Sequence, residues 1–358
     1  MAVVTEFRQR RKKGLKITKL WLCKTMKHRI QDIYGTERAT KFKASNNWFH
    51  RLRNRYQISL RNRTNKKQKS ADDCRSTIQS FHRTLRKALK TQWQRMHGKT
   101  TMDAKRGRWL PANRYNIDQV PLPFAVDQGE TYAETGEKQI WISQPMNGLE
   151  KRQATLQLCI RAKGEQTVKP AIIFRGKGNV TLQELAKHDK HVDVYFQKNA
   201  WMDNEINLEW TENTLVPGVA DKSKESVIFA DNVSFQLRKE FHEACRTKCN
   251  AVVYMLPEYQ TDKVQPIDAG IGRFMKLKIG NALDKWLEID EKVEKWHGKM
   301  SAKERRILMT KLAGDAWDEM QHYKDIFRKA FKRTGCLMTV DGSGDNLVRP
   351  QGIEHYEF

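Results

Sequence analysis

The stretch ESVIFADNVSFQ, residues 225–236, contains a short apolar run, Val-Ile-Phe-Ala, that leads directly into Asp231 and Asn232. An uninterrupted apolar run of this length is typical of a central strand that is buried on both faces. In open α/β sheets, ligands gather at the carboxyl ends of the strands. The stretch therefore predicts a central strand that carries Asp231 at its carboxyl edge.

The segments on either side of this run also show strand patterns. Turn signals are frequent between residues 114 and 175, and apolar residues alternate with polar ones from Leu156 to Ile160. The turn KGEQ joins this strand to VKPAIIF as a hairpin. After the apolar run, a helical pattern over residues 233–248 leads to a second strand-like run, NAVVYMLP. We predict three or four antiparallel strands followed by a parallel βαβ unit.

This order of elements predicts the fold class. An antiparallel meander, a parallel βαβ unit and then helices form an α/β arrangement that matches a ribonuclease H-like mixed sheet. We expect helices over residues 268–333, with a capping box from Ser301 to Glu304, and a loose tail over residues 341–358. Residues 181–217 give no clear pattern. The predicted domains are an all-α domain over 1–65, a helical linker over 66–110, the mixed-sheet domain over 111–282, and C-terminal helices with the tail over 283–358.

Basic charge is concentrated in the N-terminal part of the chain. Residues 1–100 contain 28 Lys and Arg against 5 Asp and Glu, whereas the other 258 residues contain 39 against 37. Such a segment favours polyanions, and its binding is expected to depend strongly on salt. A structureless basic tail is the alternative, but apolar residues recur here at helical spacing. The run RQRRKK, residues 8–13, is either a nuclear localisation signal or a solvated arm.

Two amphipathic helices are predicted within this basic segment. The first spans about residues 16–33 and ends where IYGTERATKF breaks the pattern, and the second begins after Ser45, a suitable N-cap. Trp48, Leu52 and Tyr56 share one face of the second helix. Amides and guanidiniums on the opposite face suit base edges and phosphates in a major groove, as in a helix-turn-helix domain. The predicted DNA-binding residues of this helix and of the basic extension after it are Ser45, Asn46, Asn47, His50, Arg51, Arg55, Arg61, Arg63, Lys66 and Lys67.

Three aspartates are candidate catalytic residues and metal ligands. Asp118 ends the first predicted strand, Asp231 ends the apolar run, and Asp268 opens a helix. Because the first and fourth strands of a ribonuclease H-like sheet are neighbours, the first two carboxylates would lie side by side. Two Mg²⁺ or Mn²⁺ ions held by such oxygen ligands can activate water and stabilise the leaving oxygen in phosphodiester cleavage. Each aspartate alone is more often a turn former or helix cap.

Other candidates are weaker. Asp127 competes with Asp118 for the first position, but it follows prolines that favour a bend. His188 with His191, and Cys245 with Cys249, could each supply two metal ligands, yet neither pair has a second pair at zinc-site spacing. We interpret both pairs as ordinary surface or core residues. The segment FRGKGN does not match a phosphate-binding loop.

The sequence resembles the pogo, Tigger and jerky type of DDE transposases over nearly its whole length. FKASNNWFHRLRNRYQISLR is similar to the centromere-protein-B type of helix-turn-helix, and NIDQVPLPF, FADNVSF and VQPIDAGIGRFMK look like the three acidic blocks of the family. The resemblance implies a ribonuclease H-like DDE endonuclease that uses Asp118, Asp231 and Asp268 with two divalent metals. It also implies cleavage at transposon ends and joining to target DNA.

The sequence departs from that family in three places. An upstream helix-turn-helix unit usually precedes the one seen here, which suggests a truncated copy or gene model. Gln236 stands where the family often has His, and Ala269 where Gln is common. Our leading hypothesis is a nuclear DDE endonuclease or transposase that binds double-stranded DNA at the terminal repeats of the element and in the target. The chain could also form a homodimer, and we expect no membrane as a partner. The alternatives are a catalytically inactive or domesticated DNA-binding protein and, less favoured, an RNA-processing nuclease.

Overall fold

A computed structural model describes residues 2–12, 17, 19–59, 74–91, 94–95, 98–99, 102–123, 153–287, 290–296 and 300–358. The chain forms two compact units that divide between Ser76 and Thr77, within the predicted linker. In the described ranges, no helix is both long and apolar enough to cross a membrane.

The N-terminal unit is helical. Helix α2 covers the first predicted helix, and α4 the second. The predicted break is confirmed, because α2 ends at Tyr34 and Gly35 has φ of +81°, but a further short helix that was not predicted starts at Thr36. On α2, Leu22 is buried, whereas Ile33 near its end is 63% exposed. The helices are α1 (Ala2–Lys12), α2 (Lys19–Tyr34), α3 (Thr36–Lys41) and α4 (Asn46–Arg55).

A six-stranded mixed sheet organises the second unit. Its strand order is β6-β5-β4-β3-β7-β8, with β3, β4 and β5 antiparallel and with β3/β7, β7/β8 and β5/β6 parallel. The first long strand thus lies beside the Val-Ile-Phe-Ala strand, so the predicted ribonuclease H-like order is confirmed. The strands are β1 (Gln94–Arg95) and β2 (Gly98–Lys99), which pair with each other, and then β3 (Arg114–Pro123), β4 (Gln153–Arg161), β5 (Ala171–Arg175), β6 (Asp193–Gln197), β7 (Ser226–Ala230) and β8 (Ala251–Met255).

Burial in β7 explains its apolar sequence. All five of its residues, Ser226 to Ala230, are buried, because helices cover both faces of the sheet centre. Ile228 and Ala230 face a core that includes Phe241 of helix α9. The predicted hairpin is also confirmed, since β4 pairs with β5 through Thr155 and Ile173.

The segment that gave no sequence pattern adds an edge to the sheet. Strand β6 pairs in parallel with β5, from Ala171 opposite Asp193 to Arg175 opposite Gln197. Only Tyr195 of this strand is fully buried, and its hydroxyl bonds the Thr214 hydroxyl at 2.7 Å. The helices of this segment are α6 (Leu182–Leu185), α7 (Asn204–Trp210) and α8 (Val216–Gly218), with a π-helical turn at Thr211–Leu215.

The remaining helices surround the sheet. Helix α11 packs against α13, which begins with the predicted capping box: the Ser301 hydroxyl accepts the Glu304 N–H, and the Glu304 carboxylate accepts the Ser301 N–H. The helices are α5 (Arg75–Lys90), α9 (Lys239–Cys249), α10 (Thr261–Val264), α11 (Gly272–Leu287), α12 (Asp290–Glu294), α13 (Ala302–Gln321) and α14 (Lys324–Arg333).

The C-terminal tail is ordered, so the prediction of a loose tail was wrong. Val348 and Ile353 are buried. The Tyr356 hydroxyl lies 2.7 Å from Nδ1 of His82 in α5, and the guanidinium of Arg86 stacks on Phe358. The tail has no periodic apolar pattern because its partners lie more than 250 residues away in the sequence, on a helix that was itself predicted to be a linker.

His82 makes the stability of this anchor dependent on pH. Its ring is buried and its Nε2 lies 2.9 Å from the Thr334 carbonyl, which can only accept, so Nε2 carries the proton and Nδ1 accepts from Tyr356. Burial is the main reason that the His82 pKa falls to about 4. The folded state therefore binds fewer protons than the unfolded state between pH values of about 6.5 and 4, and stability falls as the pH falls through this range.

We expect the unfolding free energies of the wild type and of His82→Gln to converge by roughly 2 kcal/mol between pH 7 and pH 4.5. Urea unfolding at both pH values measures this difference. His355, which is exposed, supplies the control, since His355→Gln should show no such convergence. A wild-type minus His82→Gln difference that is independent of pH would contradict the prediction.

Candidate functional site

Asp118 and Asp231 lie on adjacent parallel strands. The register of β3 and β7 places Asn116 opposite Phe229, and two further residues along each strand bring Asp118 opposite Asp231. Side chains two residues apart on a strand share a face, and neighbouring strands are about 4.8 Å apart. The two carboxylates therefore occupy the same face at one edge of the sheet.

Asp268 approaches this face from a turn before helix α11. It belongs to the π-helical turn Ile267–Ile271, in which Gly270 has φ of +124°, a conformation that favours glycine. The turn is fixed to β3 because the Ile267 N–H donates to Oδ1 of Asn116 at 2.9 Å. Asp268 itself is exposed to solvent.

The three carboxylates influence one another electrostatically. Asp118 keeps some solvent contact, but desolvation by the surrounding protein is the largest cause that raises its pKa to about 8. The carboxylates of Asp268 and Asp231 raise it further, whereas the Gln119 N–H, 2.7 Å from Oδ1 of Asp118, lowers it. Asp231 accepts the Asn232 N–H, also at 2.7 Å. The structure thus places Asp231 and Asp268 close enough to Asp118 to raise its pKa.

The donor set fits a hard divalent cation. Asp118, Asp231 and Asp268 offer only oxygen ligands, which Mg²⁺ and Mn²⁺ prefer, and a cation would offset the repulsion that raises the pKa of Asp118. Within the described ranges, no three His, Cys, Asp or Glu side chains already converge on one ion position.

Two buried amides near the aspartates, Asn116 and Gln265, were missed by the sequence analysis. Asn116 is fully buried and its Nδ2 donates to the Phe229 carbonyl at 3.0 Å. Gln265 is 1% exposed and lies close enough to lower the pKa of Asp118, although neither atom of its amide completes a hydrogen bond within the described ranges. Gln236, the departure noted above, is also buried. The only sequence signal was a polar residue two positions before Asp118, in YNID, and three positions before Asp268, in QPID.

The weaker candidates lie apart from this edge or outside the described ranges. His188 Nε2 is 3.7 Å from Glu184, and His191 contacts Asp189. Cys245 and Cys249 are buried in the core below the sheet, where burial raises the pKa of Cys249 to about 11. The competing Asp127 lies outside the described ranges.

Helix α4 presents the predicted DNA-binding residues to solvent. The Ser45 hydroxyl caps the helix by accepting the Trp48 N–H at 3.2 Å. The apolar side, anchored by an edge-to-face contact between Phe42 and Trp48, is half-buried. The opposite side is exposed and consists of Asn46, Asn47, His50, Arg51 and Arg55. The other predicted residues, Arg61, Arg63, Lys66 and Lys67, lie outside the described ranges.

Two curated proteins are similar in sequence to part of this chain. The mouse Jerky protein is 29% identical over 136 residues, which are 36% of this chain and 24% of that protein. The human pogo transposable element with KRAB domain is 27% identical over 171 residues, 48% of this chain and 24% of that protein. The matched segments thus span about a quarter of each relative.

Solved structures and a family model give two further comparisons. The mariner Mos1 paired end complex with Mg has a TM-score of 0.44 and 11% identity, covering 83% of this chain and 77% of that one. The Mos1 paired end complex with Mn has a TM-score of 0.38 and 11% identity, covering 84% and 78%. The model of the DDE superfamily endonucleases matches residues 151–323, which include Asp231 and Asp268. Residues 151–323 of this chain are therefore similar to the DDE superfamily endonucleases.

Proposed function

We propose that this protein is a DNA-binding DDE endonuclease or transposase that cleaves and joins DNA phosphodiesters with two divalent ions. The observation that supports the proposal is the electrostatic effect of Asp231 and Asp268, both within the segment that matches the DDE endonuclease model, on Asp118 of the neighbouring strand. Mg²⁺ and Mn²⁺ suit their oxygen donors.

The protein's own residues would hold the reacting groups as follows. Asp118, Asp231 and Asp268 would hold the ions, which when bound supply Lewis acidity for the attacking water and the leaving oxygen. The Gln119 N–H keeps the Asp118 carboxylate in place at 2.7 Å, and the Asn232 N–H does the same for Asp231. Without a cation, Asp118 holds its proton near neutral pH, since its pKa is about 8.

A nicking assay tests the proposal. The probe is a supercoiled plasmid that carries the repeats flanking the coding sequence, incubated with the purified full chain in Mn²⁺, and the matched plasmid lacks the repeats. We expect Mn²⁺-dependent nicks at the repeat ends and loss of nicking in EDTA. Asp118→Asn, purified in parallel, controls for contaminating nuclease.

Two outcomes would lead to other conclusions. Binding of the repeats without nicking by any preparation would sink the enzymatic proposal and leave the second candidate, a DNA-binding protein without catalysis. That candidate has one observation in its favour, because no three acidic, His or Cys side chains of the described ranges converge as they stand. Nicking of both plasmids alike would contradict recognition of the repeats.

We infer that the basic N-terminal unit supplies the DNA affinity and that the protein acts in the nucleus. The exposed face of α4 carries Arg51 and Arg55, which suit phosphates. A homodimer is a further proposal, which sedimentation on repeat DNA would test.

We expect DNA affinity to fall steeply with salt, and Arg51→Ala to weaken binding and reduce the slope of log K against log salt by about 1. The reason is that each phosphate contact releases about one counterion. Fluorescence anisotropy with labelled duplex at several salt concentrations measures both quantities. Lys41→Ala is the matched control, because Lys41 is exposed but already paired with Glu37 on α3. Equal slopes for the wild type and Arg51→Ala would contradict phosphate contact by Arg51.

A further inference from the structure

Asn116 connects the three segments that carry the aspartates. It lies in β3 two residues before Asp118, and its side chain is fully buried. Its Nδ2 donates to the carbonyl of Phe229 at 3.0 Å, two residues before Asp231. Its Oδ1 accepts the Ile267 N–H at 2.9 Å, one residue before Asp268.

Both ends of this amide are needed for the arrangement. Main-chain pairing already holds β3 beside β7. The turn Ile267–Ile271, by contrast, belongs to no strand and is kinked at Ala269 and Gly270. The bond from Ile267 to Asn116 fixes the start of that turn against the sheet. A carboxylate at position 116 would repel the Phe229 carbonyl, and an apolar side chain would leave the Ile267 N–H without its acceptor and remove a donor from the Phe229 carbonyl. An amide satisfies one donor and one acceptor at once.

We propose that Asn116 is a positioning residue that sets the spacing of Asp118, Asp231 and Asp268 and thereby the affinity of the site for divalent cations. The inference rests on the proposed function, since it assigns these three aspartates as ligands. Asn116 acts through main-chain groups near each ligand and not by ligation, because its Nδ2 and Oδ1 both already bond main-chain groups. Outer partners that orient ligands typically change metal affinity by about 10 to 100-fold when they are replaced.

The matched control is Asn113. It too is a buried asparagine, 3% exposed, and its Nδ2 donates to the Ser226 hydroxyl at 3.1 Å, so it also links the β3 and β7 segments. That link lies at the start of both strands, whereas the aspartates lie towards the other end. If Asn116 only stabilised the fold, replacing Asn113 or Asn116 should have the same effect on Mn²⁺ affinity. If Asn116 positions the aspartates, only its replacement should weaken Mn²⁺ binding.

The experiment measures Mn²⁺ binding to the full chain by electron paramagnetic resonance of free Mn²⁺, with Asp231→Asn identifying the site. We expect Asn116→Leu to raise the Kd for Mn²⁺ by at least about 10-fold. Asn113→Leu should lower Tm by about as much as Asn116→Leu does, but it should keep the wild-type Kd for Mn²⁺. Asn116→Ser, which removes both bonds but leaves room for a water, is the second variant and should also raise the Kd.

The inference fails if a folded Asn116 variant binds Mn²⁺ as the wild type does, or if Asn113→Leu weakens binding equally. It also fails if Mn²⁺ binding to the wild type is not saturable, or if Asp231→Asn does not remove that binding. Nicking is scored separately on the repeat plasmid. A wild type that binds Mn²⁺ at this site but does not nick would sink the proposed function and leave the positioning role intact.

Discussion

Asp231→Asn is expected to lower Mn²⁺-dependent nicking of repeat-bearing plasmid by about 10³-fold, which corresponds to about 4 kcal/mol of activation free energy. Asp231 ends the buried strand β7 opposite Asp118, so the change removes one charged oxygen ligand from the centre of the proposed site. The rate of the first nick, measured with enzyme in excess over plasmid, gives the chemical step without turnover.

The Asp231→Asn variant should still fold. The only main-chain group that Asp231 binds in the described ranges is the Asn232 N–H at 2.7 Å, and an asparagine oxygen can accept the same bond. The matched control is Asp221→Asn, at an exposed carboxylate that accepts the Ser223 N–H at 3.0 Å. We expect wild-type nicking from Asp221→Asn and wild-type DNA binding from both variants. Nicking by Asp231→Asn at the wild-type rate would remove Asp231 from the site.

The parts of the fold that follow from local sequence were predictable. The run Val-Ile-Phe-Ala is apolar throughout because β7 is covered on both faces. The hairpin of β4 and β5 follows from alternation and a turn, and the N-cap at Ser45 and the capping box at Ser301 follow from helix ends that need acceptors. Parallel pairing of β3 with β7 then followed from the order of the elements.

The parts that depend on distant partners were not predictable in the same way. Strand β6 is half-buried at the sheet edge and has no strong alternation. The tail from residue 341 gains its order from His82 and Arg86 in α5, which are far away in the sequence. The helix at Thr36 begins because Gly35 adopts a left-handed conformation, whereas a glycine in a sequence usually indicates only an end.

Some residues of the candidate site could likewise be predicted from the sequence, and others could not. Three aspartates after strands or before a helix could be selected from the sequence, because chemistry at a sheet edge requires carboxylates there. Asn116 and Gln265 could not, since a buried amide inside a strand or turn gives no pattern of its own. Their importance depends on which main-chain groups lie across from them, and only the fold decides that.

Arg114→Met is expected to lower the free energy of unfolding by at least about 4 kcal/mol, a large part of the 5 to 15 kcal/mol typical of a domain. Arg114 opens strand β3 and its guanidinium is fully buried. It donates to the carbonyls of Trp109 at 2.9 Å, of Arg106 at 2.6 Å, and of Cys336 and Met338 at 3.1 Å each. Burial lowers its pKa to about 9, so it remains charged at neutral pH.

The expected loss of stability follows from the number of carbonyl oxygens that would lose their hydrogen-bond donor. Methionine fills a similar volume but donates nothing, so three buried carbonyls and one partly buried carbonyl would lose their partner. Each buried loss costs about 1 to 3 kcal/mol, partly offset because no guanidinium is then desolvated. Lysine keeps the charge, but its single ammonium cannot reach acceptors on both sides, so Arg114→Lys should fall between the two. Arg333→Met, at an exposed arginine that bonds one carbonyl, should change stability by less than about 0.5 kcal/mol. Urea unfolding at pH 7 distinguishes these cases. If Arg114→Met unfolds like Arg333→Met, water satisfies the carbonyls and the segment at Cys336 to Met338 is held by its buried side chains alone.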